Sequence, residues 1–157
     1  MRYPWALLMG FAIPIVLAGC GASSAAAPGP TAKAPQVKVA TISVAGQKHT
    51  VLENSRGDTL YYNTKDTSTQ QFCGTVCQAL WPTVKAKTAP AHIAGAPGKF
   101  SVVNGQLEYQ GHRLYTYRGD PGAGDSNGQG VQGIWYVATT SLAMAGATSS
   151  GTGGSGW

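Results

Sequence analysis

Charge is what this chain has least of. Asp, Glu, Lys and Arg together make up 11% of the residues, with six acidic side chains against eleven basic ones. The basic residues are scattered from Arg2 to Arg118 without a run or cluster. That excludes the concentrated basic patch by which proteins hold nucleic acid. Also missing is an apolar run of the roughly 20 residues a spanning helix needs, so the apolar stretch near the N-terminus is short for a permanent anchor. Cysteines number three. With no Cys-x-x-Cys-His, covalent c-type haem is excluded. No helix-opening phosphate motif follows any of the glycine-rich stretches, and no serine or cysteine motif marks a nucleophile. Glycine is abundant by contrast, at 22 residues, with nine prolines, as expected of turns, loops and tethers rather than long helices.

The N-terminus is the most specific part of the sequence. Arg2 precedes an apolar stretch from Trp5 to Ala18, broken by Pro14 and followed by Leu17-Ala18-Gly19-Cys20. A positive start, a short apolar core and a small-residue box make a signal peptide, to be set aside in reasoning about the fold. The plainer alternative is an uncleaved N-terminal helix with an unmodified Cys20. The box resembles the lipobox of bacterial lipoproteins. That resemblance implies cleavage after residue 19, a lipid on the Cys20 sulfur and acylation of the new amine. Several acyl chains hold a protein durably where one does not. The expected location is therefore the extracytoplasmic face of the cell membrane, with the membrane itself as first partner. Without Arg2 the exported chain has ten basic and six acidic groups, a net charge of about +4.

Residues 20–36 (CGASSAAAPGPTAKAPQ) lack the apolar bulk to fold and form a tether. As a flexible coil it reaches on the order of 20 Å. Residues 143–157 end in Gly, Ser and Thr and are expected to be a disordered tail. Nothing in the sequence accounts for Trp157. The folded part is expected over 37–142.

Within it the chain repeats. Shifted by 54 residues, Gly57-Asp58-Thr59-Leu60-Tyr61 falls on Gly111-His112-Arg113-Leu114-Tyr115. Asp66 falls on Asp120, Leu80 on Ile134 and Trp81 on Trp135, with no gap. The spacing predicts two copies of one supersecondary unit, about 50–84 and 104–138. Each copy reads as β: Val37–Val44, Thr50–Glu53, Asp58–Asn63, Phe100–Val103, Leu107–Tyr109, Arg113–Tyr117 and Ile134–Ala138 are short strands. Asn104-Gly105 is a two-residue hairpin turn. Only Thr75–Leu80 has a helical look. The expected fold is all-β and mainly antiparallel, with one short helix. It is a single domain of two pseudo-symmetric repeats sharing one core.

With Cys20 taken by lipid, Cys73 and Cys77 remain. Outside the cytoplasm an even pair of cysteines forms a disulfide. A separation of four closes if Cys73 precedes a short helix carrying Cys77. A redox-active dithiol is the alternative, but the spacing is not Cys-x-x-Cys and no βαβ setting surrounds it. A metal site would need more ligands, and only His92 lies near in sequence.

Tyr115-Thr116-Tyr117-Arg118-Gly119-Asp120 fits a Tyr-x-aromatic-x-x-Asp motif and resembles a bacterial lipoprotein family known as the secreted repeat of unknown function. The Cys73…Cys77…Trp81-Pro82 segment, the Gly111–Tyr115 strand, and Gly128-Gln129-Gly130 before Trp135 agree with it. The first copy keeps Tyr61 and Asp66 but has Asn63 where the motif has a ring. The resemblance implies a lipid-anchored, β-rich repeat protein and brings no activity, ligand or catalytic residue.

Three constellations could carry chemistry. Asp66 and Asp120 could be a carboxylate pair for acid–base work; the plainer reading has each cap its own turn. His112 with Asp120 and Asp125 could bind a ligand, or the oxygen-rich loop 120–130 could hold Ca²⁺; it lacks the EF-hand spacing. The aromatic residues, with Trp81 and Trp135, could form a stacking platform, though at strand spacing such rings are more often core. No metal or cofactor is required. The sequence thus reads as an envelope binding or structural module, rather than an enzyme, that meets envelope proteins or wall polymers. One alternative is a metal or redox accessory protein. The other is a wall-polymer hydrolase with Asp66 and Asp120 roughly 5–9.5 Å apart across a cleft.

Overall fold

A computed structural model describes residues 37–147. These lie within the second of the two units into which the chain divides, Lys33–Trp157. The leader 1–19, Cys20, the tether to residue 36, and the tail beyond 147 with Trp157 lie outside the described residues. The elements are β1 (Val37–Val44), β2 (Gln47–Asn54), β3 (Tyr61–Asn63), α1 (Thr75–Gln78), β4 (Phe100–Val103), β5 (Gln106–Tyr109), β6 (His112–Arg113) and β7 (Trp135–Val137), with a 3₁₀ turn at Val131–Gly133. Three small antiparallel sheets result: β1–β2, β3–β7 and β4–β5–β6. The domain is all-β with a single turn of α-helix.

Tight hairpins set the registers. Asn104 and Gly105 both take positive φ, 50° and 74°. This is the turn whose twist matches that of the strands it joins, and it places Val103 opposite Gln106. Ala45-Gly46 (49°, 84°) and Gln110-Gly111 (53°, 78°) turn the same way. An alanine or glutamine in this region is uncommon, which is why those two turns are not legible in the sequence. β2 consequently begins at Gln47, earlier than the Thr50 expected.

The strands form a layer buried on both sides. Successive side chains of a strand point to opposite faces, and pairs of neighbours are buried together at four places: Val51-Leu52, Leu60-Tyr61, Leu114-Tyr115 and Val137-Ala138. In each pair one residue joins a core with Val37, Val84, Phe100, Leu107 and Tyr109. The other joins a core with Val44, Trp81 and Trp135. The Leu-Tyr dipeptide that recurs in the sequence thus sends its leucine into one core and its tyrosine into the other.

Two closed rings of backbone bonds hold this layer. The N–H of Leu52 donates to the C=O of Ala138, Ala138 to Leu60, and Leu60 to Leu52, at 2.8–2.9 Å. Leu107 donates to Val84, Val84 to Leu114, and Leu114 to Leu107, at 2.8–3.0 Å. Such rings explain why β3 and β6 are shorter than the expected strands: Leu60 and Leu114 spend their backbone groups on two different partners rather than on one ladder. Residues 143–147, assigned by composition to the tail, are fastened to this body. Ala145 N–H donates to the Gln110 carbonyl at 2.8 Å, and His112 Nε2 lies 3.1 Å from the Ala143 carbonyl.

Leu60 and Leu114 are fully buried at the centre of these rings. Leu60→Ala and Leu114→Ala should each cost about 2–5 kcal/mol, the range for a leucine emptied from a packed core. Urea unfolding of each variant checks this, and the two costs should be alike.

Candidate functional site

The residues of the repeated motif meet at one place. Tyr61 and Tyr115 sit side by side in an antiparallel bridge: the Tyr61 N–H donates to the Tyr115 carbonyl at 2.8 Å, and the Tyr115 N–H to the Tyr61 carbonyl at 2.9 Å. Each hydroxyl then reaches the aspartate of the other segment. Tyr61 Oη donates to Asp120 Oδ2 at 2.7 Å, and Tyr115 Oη to Asp66 Oδ2 at 2.7 Å. The remaining carboxylate oxygens accept from their own loops: Asp66 Oδ1 from the Phe72 N–H (2.7 Å) and Asp120 Oδ1 from the Asn127 N–H (2.8 Å). Each aspartate therefore caps its loop and clamps the opposite tyrosine with the same group.

The indoles lie beside this clamp. Trp81 and Trp135 stack face to face with centroids 3.9 Å apart and planes 2° from parallel. Tyr117 continues the stack on Trp81 at 4.2 Å. Tyr61 meets Trp81 edge-on at 5.4 Å, and Tyr115 meets Trp135 edge-on at 5.0 Å, the arrangement ring quadrupoles favour. Asn63 lies across from Trp135 in the β3–β7 ladder. Its Oδ1 accepts from the Lys65 N–H at 2.7 Å, while its buried Nδ2 has no hydrogen-bond partner. Where the second segment stacks Tyr117, the first has a buried amide. Gly128 passes so close that a Cβ there would lie 2.7–2.8 Å from Tyr61 and Trp81 ring atoms. Its N–H also approaches Tyr61 Oη at 3.3 Å.

Burial raises the Tyr61 and Tyr115 hydroxyls well above the ordinary tyrosine value, and the adjoining carboxylates push in the same direction. Burial likewise raises Asp120, with the charge of Asp125 adding to it and the bonds from Tyr61 and Asn127 opposing.

Cys73 and Cys77 form a disulfide, with Cα atoms 5.2 Å apart. It ties the residue just before α1 to one within it. Cys73 is wholly buried beneath the aromatic core.

The other candidate residues are not drawn into one site. His112 bonds to Ala143 and packs against Tyr62 at 4.8 Å. Burial lowers its pKa, and the carboxylates acting on it are Asp66 and Glu108, not Asp120 or Asp125. Asp125 Oδ2 accepts from the Gly122 N–H at 2.7 Å, and Asn127 Nδ2 donates to the Gly119 carbonyl at 3.2 Å, so loop 120–130 satisfies itself. Among the described residues no three His, Cys, Asp or Glu side chains converge as metal ligands. A polar cleft of about 440 Å³ borders the motif, lined by Arg56, Asp58, Pro82, Thr116, Tyr117 and Arg118 beside Asp120. Arg56 is tied to Asp58 at 2.6 Å.

Sequence reasoning missed the exchange of tyrosine–aspartate partners, as well as Gln71, whose Nε2 donates to Tyr115 Oη at 3.1 Å, and Arg113, whose guanidinium holds the Thr67 and Gln70 carbonyls. The gap-free spacing of Tyr, Asp and Trp in both segments is the signal that could have shown the exchange. Under the 54-residue shift Arg113 and Gln71 fall on Thr59 and Asp125, residues of other types, and leave no such trace.

A model of the lipoprotein family described as a secreted repeat of unknown function matches residues 104–139. This is the family that the Tyr115–Asp120 motif resembles. No curated protein and no solved structure matches the chain.

The raised tyrosines set an alkaline signature. Above pH 10 an unfolded tyrosine loses its proton while Tyr61 and Tyr115 keep theirs, so the folded state binds more protons and stability falls as pH rises. The slope is about 1.4 kcal/mol per pH unit for each tyrosine. Tyr115→Phe should cost about 1.5–3 kcal/mol at pH 7, the worth of a bond to a charged group, and should flatten the slope above pH 10 by one tyrosine's share. Urea unfolding between pH 7 and 11.5 reads both; an unchanged alkaline slope would contradict the clamp.

Proposed function

We propose that the chain is a lipid-anchored extracytoplasmic module, made of two copies of one β unit, whose motif residues serve its architecture rather than a reaction. One observation carries this reading: all four oxygens of Asp66 and Asp120, and both tyrosine hydroxyls, are bound within the domain. A general acid or base must reach its substrate's proton, and both carboxylates are already engaged by internal donors on each oxygen. The geometry therefore weighs against a wall-polymer hydrolase. The closed disulfide and the separation of His112 from Asp125 weigh equally against a metal or redox accessory.

The two-copy reading rests on partners that trade places under the 54-residue shift. Tyr61 bonds Asp120 as Tyr115 bonds Asp66. Likewise the Thr64 N–H donates to the Ile134 carbonyl as the Arg118 N–H donates to the Leu80 carbonyl. The pairing of Tyr61 with Val137 recurs as the bridge of Thr83 with Tyr115. An envelope location is supported by the secreted family matched over residues 104–139, the lipobox at Cys20 and the disulfide. No helix among the described residues is long and apolar enough to cross a membrane. In this reading the cleft at Tyr117 and Arg118 is the surface offered to an envelope protein or wall polymer.

Two experiments test the parts separately. Cells fed an alkyne fatty acid should label the wild-type chain and not Cys20→Ala; an unlabelled wild type would end the anchoring. Double-mutant cycles test the copies. Tyr61→Phe with Asp120→Asn should couple by 0.5–3 kcal/mol, the range for residues in contact, while Tyr61→Phe with Asp66→Asn should add within about 0.5 kcal/mol. Coupling within a segment instead of between segments would refute the exchange.

A further inference from the structure

Three of the large apolar side chains left exposed among the described residues fall in one short segment. Phe72 is 56% exposed, Val76 90% and Leu80 47%. Phe72 lies just before the Cys73–Cys77 loop, Val76 inside α1 and Leu80 in the turn that follows it. The turn is rigidly held. Cys73–Cys77 closes it, Asp66 Oδ1 fixes the Phe72 N–H, and Gln78 Nε2 donates to the Cys73 carbonyl at 3.0 Å. Arg118 grips its far end, with Nε on the Ala79 carbonyl and its backbone N–H on the Leu80 carbonyl, both at 3.0 Å. The clamp built by the motif therefore also presents a fixed apolar knob to solvent.

We propose that this knob rests in the headgroup–acyl boundary of the bilayer to which the chain is anchored, seating the domain on the membrane. The inference builds on the lipid-anchor reading. Residues 67–84 contain no charged side chain and are otherwise rich in Thr, Ser and Gln, which suits a segment pressed into an interface whose polar edge supplies hydrogen bonds. The exposed charges beside it, Lys65 and Arg118, are cationic, while Asp66 and Asp120 are half-buried and held by neutral donors. Apolar side chains enter the headgroup–acyl boundary by burial, and exposed cations add attraction to anionic lipid. Size also favours lipid over a protein partner. Stable protein interfaces bury about 800 Å² on each side and engage 20–30 residues, far more than three side chains present, whereas an anchored domain needs only a weak second contact.

The test uses the full chain on vesicles of anionic and zwitterionic phospholipid. An environment-sensitive fluorophore is placed at Val76→Cys or, as a control, at Lys48→Cys, an exposed position on β2. The label at 76 should shift to shorter wavelength and be quenched several-fold more by nitroxide lipids than by aqueous iodide. The label at 48 should show the reverse. Phe72→Asp with Leu80→Asp should return the label at 76 to the aqueous pattern while leaving the urea midpoint within error. A label at 76 that stays aqueous on vesicles carrying anchored protein overturns the knob contact and leaves the anchor standing. If the wild-type chain proves unlabelled by the alkyne fatty acid while its label at 76 still enters added vesicles, the anchor is overturned and the contact stands.

Discussion

The backbone bridge between Tyr61 and Tyr115 is the constraint on which the rest of the domain depends. It brings two distant segments within 3 Å, and both hydroxyls then reach carboxylates that neither segment could supply to itself. A tyrosine buried beneath an aromatic core must find an acceptor or lose the energy of a hydrogen bond. Here the acceptor is an aspartate whose second oxygen already orders the loop behind it. Burying the hydroxyl, ordering the loop and joining the two segments are therefore a single event.

Consequences spread from that bridge in both directions across the strand layer. Because Leu60 and Leu114 precede the two tyrosines, fixing the tyrosines in the aromatic core sends the leucines into the aliphatic one. Trp81 and Trp135 stack because each follows its tyrosine by the same 20 residues. The buried Asn63 amide is the exception. At the position where the second segment stacks Tyr117, the first carries a buried amide donor without a partner.

Much of the fold was legible in the sequence. β1 and β4 have the expected bounds because alternating apolar residues and, for β4, an Asn-Gly turn mark them locally. The Cys73–Cys77 bridge follows from one cysteine just before a short helix and a second within it. The Ala45-Gly46 and Gln110-Gly111 turns were not legible, since tertiary pairing imposes on Ala45 and Gln110 a backbone conformation they seldom choose. The expected strands at 58–63 and 113–117 came out shorter because their bonds are shared among three neighbours, which no one-dimensional pattern records. At the candidate site, the caps on Asp66 and Asp120 were readable from their position after a strand. Their second bonds, to the opposite tyrosines, were not.

By itself, then, the sequence determined the local features: where β1 and β4 run, where the Asn104-Gly105 turn falls, that two segments share a spacing, and that an apolar stretch ends in a small-residue box before Cys20. Each depends on neighbours within a few residues or on a fixed period. Tertiary structure decided the partners: which tyrosine meets which aspartate, which face of each strand lies in which core, and that His112, Asp120 and Asp125 are not assembled as one site. Those outcomes depend on bonds between residues 31 to 59 positions apart, and only closure of the chain brings such residues within hydrogen-bond range.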